Sequence, residues 1–149
     1  MFSNAPAEFQ EPVVEFGEKI GVAFQLIDDV IDLSPRADET GKAAGTDLRA
    51  GVSTLPLLYL RRLAETDLDA EALLRRIDRD VNTAFYAEAD DAELSAAIAE
   101  LRDHDVTRQT LEEAHRWAAE AVAALAPLPD GPVKTALTRF ADTIVERSN

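Results

Sequence analysis

The chain has 149 residues, 46% of them hydrophobic, with 15 basic against 29 acidic side chains and hence a formal charge of −14. At this length one domain is expected, burying roughly 68–70% of its unfolded surface; the apolar fraction argues against a disordered chain, and the acidic balance argues against nucleic-acid binding as a default. Zero cysteines exclude disulfides, zinc–thiolate sites and cysteine nucleophiles and fit a reducing cytoplasm; no run approaches the roughly 18 apolar residues of a membrane span, and no basic-then-apolar leader precedes the first helix, so no signal peptide is expected.

Met1 to Gln10 reads as a lead-in. Ser3 or Asn4 can cap a helix with Pro6 in its first turn, and Pro12 suits equally the first turn of a later start. A helix running through both should kink near Pro12, because a mid-helix proline removes a hydrogen bond and clashes with the preceding turn. From Val13 the apolar residues recur with helical spacing at Phe16, Ile20, Ala23, Phe24, Ile27 and Ile31. Gly17 and Gly21 lie one turn apart inside this pattern, where each costs about 1 kcal/mol against alanine. They suit a close helix–helix approach or room for a bound chain. The helix should stop at Ser34-Pro35, since the residue before proline avoids the α region.

Arg36 to Gly51 lacks periodicity and contains Gly41, Gly45 and Gly51. A stretch of this length without its own structure is uncommon in a compact domain and is usually functional or disordered. Residues 34–53 therefore read as a substrate loop that orders with its ligand. Ser53 or Thr54 then caps a helix with Pro56 near its start and an apolar face of Leu55, Leu58, Tyr59 and Leu63, ending near Glu65. Leu68 to about Val81 is a second amphipathic segment, carrying Leu73, Leu74 and Ile77, and residues 82–89 are ambiguous. Asp90 to about Arg102 is helical, with Leu94, Ala97, Ile98 and Leu101 inward. Asp105 is expected to cap a long helix to Ala126, with Leu111, Ala114, Ala118, Ala121, Val122 and Leu125 as its inner stripe. Pro127, Pro129 and Gly131-Pro132 break it, and Val133 to Arg147 closes the chain with Leu137, Phe140, Ala141, Ile144 and Val145. No strand pattern or internal repeat stands out, so the expectation is one all-α domain over residues 1–149. His104 and His115 lack the spacing of a metal pair and read as surface or helix-end residues.

The chemistry is concentrated in Phe24 to Asp32, which reads F-Q-L-I-D-D-V-I-D. Residues i, i+3, i+4 and i+7 of a helix share one face, which aligns Gln25, Asp28, Asp29 and Asp32. Such a stripe can simply be solvated. Here Leu26, Val30 and Leu33 leave little purely polar surface around it, and carboxylates are almost never fully buried without a partner. A row of carboxylates on an otherwise apolar helix suits Mg²⁺, an oxygen-seeking ion that keeps waters and bridges to substrate phosphates.

Three blocks follow in order: Phe24-Gln25-Leu26-Ile27-Asp28-Asp29-Val30-Ile31-Asp32, then Gly41-Lys42-Ala43-Ala44-Gly45-Thr46-Asp47-Leu48, then Thr54-Leu55-Pro56. Together they resemble the second aspartate-rich motif of the trans-isoprenyl diphosphate synthases, the polyprenyl synthetase family. The resemblance implies a partial helical bundle of the isoprenoid synthase type, made of the C-terminal helices. It implies a prenyltransferase that condenses isopentenyl diphosphate head-to-tail with an allylic diphosphate, using Mg²⁺. Carried over residue by residue, Asp28, Asp29 and Asp32 are the metal face, with Asp28 a direct ligand; Lys42 and these three aspartates are the catalytic set. Lys42 holds diphosphate, Phe24 and Gln25 line the site, and Asp47 sits near the metal cluster. One departure stands out: the family commonly has Gly-Lys before T-L-P, and here Gly51-Val52 brings no charge, leaving either weaker diphosphate affinity or substitution by another cation such as Arg49.

The resemblance lacks the family's first aspartate-rich motif, the Arg-Arg pair after it and the early basic residues. The expectation is therefore a C-terminal fragment, inactive alone, in the cytoplasm, that self-associates or joins a missing N-terminal half. The alternative is a non-catalytic helical subunit that completes or regulates a partner prenyltransferase chain.

Overall fold

A computed structural model of the chain describes residues 7–34, 48, 54–86 and 92–147. Among these residues the structure is all-α, with six helices: α1 Ala7–Asp32, α2 Leu55–Leu63, α3 Leu68–Tyr86, α4 Ala92–Arg102, α5 Asp105–Ala124 and α6 Pro132–Glu146. No helix among the described residues is long and apolar enough to cross a membrane. Two compact units divide the chain, one formed by residues up to Ile27 together with Leu111 onward, the other by Asp28–Thr110.

The ends of the helices follow local chemistry. α1 starts before Pro12 and carries it inside. It closes ahead of Pro35 with tightened bonds, the Leu33 N–H donating to the Val30 carbonyl and the Ser34 N–H to the Ile31 carbonyl. α3 is capped by Asp67, whose Oδ1 accepts the N–H groups of Asp69 at 2.9 Å and Ala70 at 3.3 Å. At α5 the cap is one residue earlier than the sequence suggests: His104 Nδ1 accepts the Val106 N–H at 3.1 Å, while Asp105 turns to Arg108 and Gln109. Asp105 is thus the first helical residue, and its carboxylate pairs along the surface. α3 continues to Tyr86, beyond the expected Val81.

In the unit of residues 28–110, α3 packs against both α2 and α4. Leu57 and Leu60 of α2, Ala70, Leu73 and Ile77 of α3, and Leu94, Ala97, Ile98 and Leu101 of α4 are all buried in one cluster with Leu33, Leu48 and Val106. Each fully buried Leu or Ile contributes on the order of 1.5–3 kcal/mol over an exposed one. Two buried threonines close the α4–α5 corner: the Thr107 hydroxyl donates to the Leu101 carbonyl at 2.6 Å and the Thr110 hydroxyl to the Val106 carbonyl at 2.9 Å. Arg61 pairs with Asp78 across α2 and α3, and Arg76 with Glu100 across α3 and α4. These pairs are largely exposed, so they fix register more than they add stability.

In the other unit, α1 buries Phe16, Ile20, Ala23 and Ile27, α5 buries Ala114, Ala118 and Ala121, with Leu125 buried in the turn just after it, and α6 buries Ala141 and Ile144. Lys19 of α1 reaches Glu15 at 3.3 Å and Glu120 of α5 at 4.0 Å. Two aromatics of the apolar pattern are exposed: Phe24 is 40% exposed and Phe140 52%. Gly17 and Gly21 are also exposed, and a Cβ added at either would meet nothing within 4 Å, so no close helix approach requires them within the described residues.

Candidate functional site

Asp28, Asp29 and Asp32 occupy the last turn and a half of α1, whose last turn contains no basic residue. The C-terminus of a helix carries the negative end of the macrodipole, so carboxylates there are disfavoured by roughly 0.3–1 kcal/mol each unless a cation answers them. The sequence places three. One compensating charge comes from outside the helix, where Arg102 of α4 donates from Nη1 to the Leu33 carbonyl at 3.4 Å, against the end of α1.

The three carboxylates differ in environment. Asp28 is partly exposed, Asp29 is 9% exposed, and Oδ2 of Asp32 is shut off from solvent. Asp29 has a defined backbone donor, since its Oδ2 accepts the N–H of Leu55 at 3.1 Å, across 26 residues of sequence. That N–H is the first of α2, and α2 carries Pro56, which has none, in its first turn. Thr54 holds the extended backbone of an N-cap (φ −80°, ψ 160°), and its carbonyl accepts the Leu58 N–H at 3.0 Å. Its hydroxyl is buried and makes no hydrogen bond among the described residues. The expected local Thr54 cap is therefore made in backbone only, and the side-chain acceptor comes from Asp29.

Phe24 and Gln25 precede the aspartates on the same helix, both side chains exposed. The guanidinium of Arg147 lies over the Phe24 ring, 4.7 Å from its centroid. Arg102 and the Leu55 N–H are contributors to the end of α1 that a reading of local spacing misses. Lys42, Asp47, Arg49 and Val52 lie outside the described residues.

The donor set fits Mg²⁺ as one face of a shared site. Side chains at i, i+1 and i+4 diverge around a helix, and among the described residues no three carboxylates or histidines converge to enclose an ion. Mg²⁺ does not need such a cage: it is usually held by one or two carboxylates, with waters and substrate phosphates completing its six oxygens. Asp28 and Asp32, one turn apart at the anionic end of α1, offer that.

Residues 1–101 match the family model for polyprenyl synthetase. Nonaprenyl diphosphate synthase of Mycobacterium tuberculosis is 38% identical over 147 residues, covering 99% of this chain and 41% of that protein. A crystal structure of a decaprenyl diphosphate synthase from Rhodobacter capsulatus superposes with a TM-score of 0.74 at 30% identity, over 99% of this chain and 43% of the other. Geranylgeranyl pyrophosphate synthase from Corynebacterium glutamicum, crystallised with calcium and isoprenyl diphosphate, gives a TM-score of 0.73 at 32% identity, over 97% of this chain and 42% of the other. The chain thus spans about two fifths of the length of the relatives it matches.

Proposed function

Because the chain belongs to the polyprenyl synthetase family, we propose that it carries the second aspartate-rich face of a prenyltransferase site for allylic and isopentenyl diphosphates. The observation that supports this most directly is the pair Asp28 and Asp32 at the end of α1, in a last turn with no basic residue. A hard cation would relieve that concentration of negative charge and could bridge the carboxylates to a diphosphate. The relative from Corynebacterium glutamicum crystallised with calcium and isoprenyl diphosphate supports the same pairing of ligands.

In this reading Asp28 and Asp32 would hold Mg²⁺, which when bound would supply positive charge to a departing diphosphate. Lys42 holds diphosphate oxygens as a point charge, with Asp47 nearby. Gln25 offers an amide toward the diphosphate end, and Phe24 an apolar ring toward the reacting carbon. Apolar surface there keeps water from an allylic cation, which water would otherwise quench. The double bond of isopentenyl diphosphate attacks that cation, the new carbon–carbon bond forms, and a proton leaves.

One face supplies half of such a site. On this reading the 149-residue chain alone does not catalyse condensation, works in the cytoplasm, and associates with itself or with a polypeptide supplying the missing half. Coverage of only about two fifths of the relatives favours keeping a second reading beside it, a helical subunit that completes or regulates a partner chain. The test is condensation of a radiolabelled isopentenyl diphosphate with an allylic diphosphate. Activity only after mixing with the complementary N-terminal portion of a relative supports the composite site. Turnover by the chain alone refutes the expected inactivity, and no turnover in any mixture favours the non-catalytic reading.

A further inference from the structure

Two adjacent aspartates look equivalent in the sequence and are not equivalent in the structure. Asp28 is partly exposed, whereas Asp29 is nearly buried with Oδ2 on the Leu55 N–H at 3.1 Å. We propose that Asp29 is a positioning residue: it is the long-range N-cap of α2, and it clamps the start of that helix to the aspartate-bearing end of α1.

Three features of α2 make the clamp necessary. Its first turn contains Pro56, so one of the usual N–H groups is missing. The residue at the N-cap position, Thr54, is 2% exposed and makes no side-chain capping bond, although its backbone is set for one. The N–H of Leu55 is therefore left to a distant acceptor, and a part-buried donor without one is costly. A carboxylate is well suited, because an anion at a helix N-terminus gains from both the N–H and the dipole. The same side chain would be poorly placed by its helix alone, since it sits at the negative end of α1. Asp29 thus joins the unfavourable end of one helix to the favourable end of another. The clamp also ties together residues 29 and 55, which bracket the segment carrying the G-K block.

The consequence is a division of labour within the D-D-x-x-D motif. Asp29 sets geometry, and Asp28 and Asp32 face the metal. The second half of that statement rests on the proposed function, whereas the clamp does not.

The experiment compares the chain with Asp29→Asn, Asp29→Ala, Leu55→Pro, Leu55→Ala and Asp28→Asn. Asparagine keeps an acceptor oxygen of nearly the same shape and loses the charge. Leu55→Pro removes the donor together with the half-buried leucine side chain, at a first helical position that follows an extended residue and accepts proline, so its midpoint is read against Leu55→Ala, which loses the side chain and keeps the donor. Amide hydrogen exchange of Leu55 and the unfolding midpoint are the first readouts. Exchange about tenfold or more faster in Asp29→Ala, a lowered midpoint in Asp29→Ala and, against Leu55→Ala, in Leu55→Pro, and recovery of most of the exchange and midpoint losses in Asp29→Asn establish the clamp. Unchanged Leu55 exchange in Asp29→Ala, or an asparagine variant as damaged as the alanine one, overturns it.

Calorimetry with Mg²⁺ and inorganic pyrophosphate then reads the division of labour. Binding lost in Asp28→Asn and kept within about threefold in Asp29→Asn (a change under 1 kcal/mol) supports it. Loss of binding in Asp29→Asn with the Leu55 amide still protected makes Asp29 a metal ligand and overturns the division. If the unmodified chain binds no pyrophosphate, the proposed function fails, and the exchange result still decides the clamp.

Discussion

Arg147 stacks on Phe24, its guanidinium carbon 4.7 Å from the ring centroid, so the residue after α6 covers the aromatic that opens the F-Q-x-x-D-D string. Phe24 is 40% exposed and Arg147 is exposed, which sets the contact at about 0.5–1 kcal/mol. A double-mutant cycle with Arg147→Ala and Phe24→Leu, read by urea unfolding, should return a coupling energy in that range. A coupling indistinguishable from zero would mean that the two groups are neighbours without mutual stabilisation.

Gly17 and Gly21 give a prediction of opposite sign to the one that close helix packing implies. Each has open space where a Cβ would go. Gly17→Ala and Gly21→Ala should therefore each stabilise the chain by roughly 0.4–1 kcal/mol, through helix propensity and a less flexible unfolded state. A higher urea midpoint with unchanged slope is the expected result. A loss of stability would show that another helix meets this stripe in solution.

The cluster around α3 should dominate stability in its unit. Ile77 is 1% exposed, whereas Leu68 on the same helix is 82% exposed. Ile77→Ala is expected to cost about 2–5 kcal/mol, and Leu68→Ala to stay within about 0.5 kcal/mol. Equal effects in chemical denaturation would contradict the packing described.

Asp105 carries a carboxyl shifted from its ordinary value. The hydrogen bond from Arg108 holds its carboxyl below the ordinary value of 3.8, aided by the Arg108 charge and by Gln109. A depressed folded value means that the stabilisation is fully present above the ordinary value and is lost as pH falls through the lowered one. Asp105→Asn should leave the unfolding profile unchanged near neutrality apart from a constant offset, and should flatten its acid limb below about pH 4. An acid limb identical to that of the unmodified chain would remove Asp105 from the account.

What could be read from the sequence followed helical periodicity. The α4 stripe Leu94, Ala97, Ile98 and Leu101 is buried throughout, and so are Ala114, Ala118 and Ala121 on α5, because a 3.6-residue period defines the centre of a face. Periodicity defines the edge of a face less well. Phe24 and Phe140 sit at such edges, and their exposure depends on neighbours that the local pattern does not specify. The family was legible because three blocks stand in order. The bond from Leu55 to Asp29 was not, because it spans 26 residues and uses a backbone donor that every non-proline residue has. Similarly, the capping of α5 by His104 was not legible, because the pattern pointed to Asp105, whose side chain instead pairs with Arg108 and Gln109. The parts assigned to Lys42 and Asp47 come from the resemblance alone, since both lie outside the described residues.

The central claim is that the end of α1 is one face of a Mg²⁺–diphosphate site. Isothermal titration of the chain with inorganic pyrophosphate, with and without Mg²⁺, tests it most directly, with Asp28→Ala as the control. The account predicts binding that requires Mg²⁺ and disappears in Asp28→Ala while the fold, followed by circular dichroism, is retained. Binding that is indifferent to Mg²⁺, or that survives in Asp28→Ala, would contradict it.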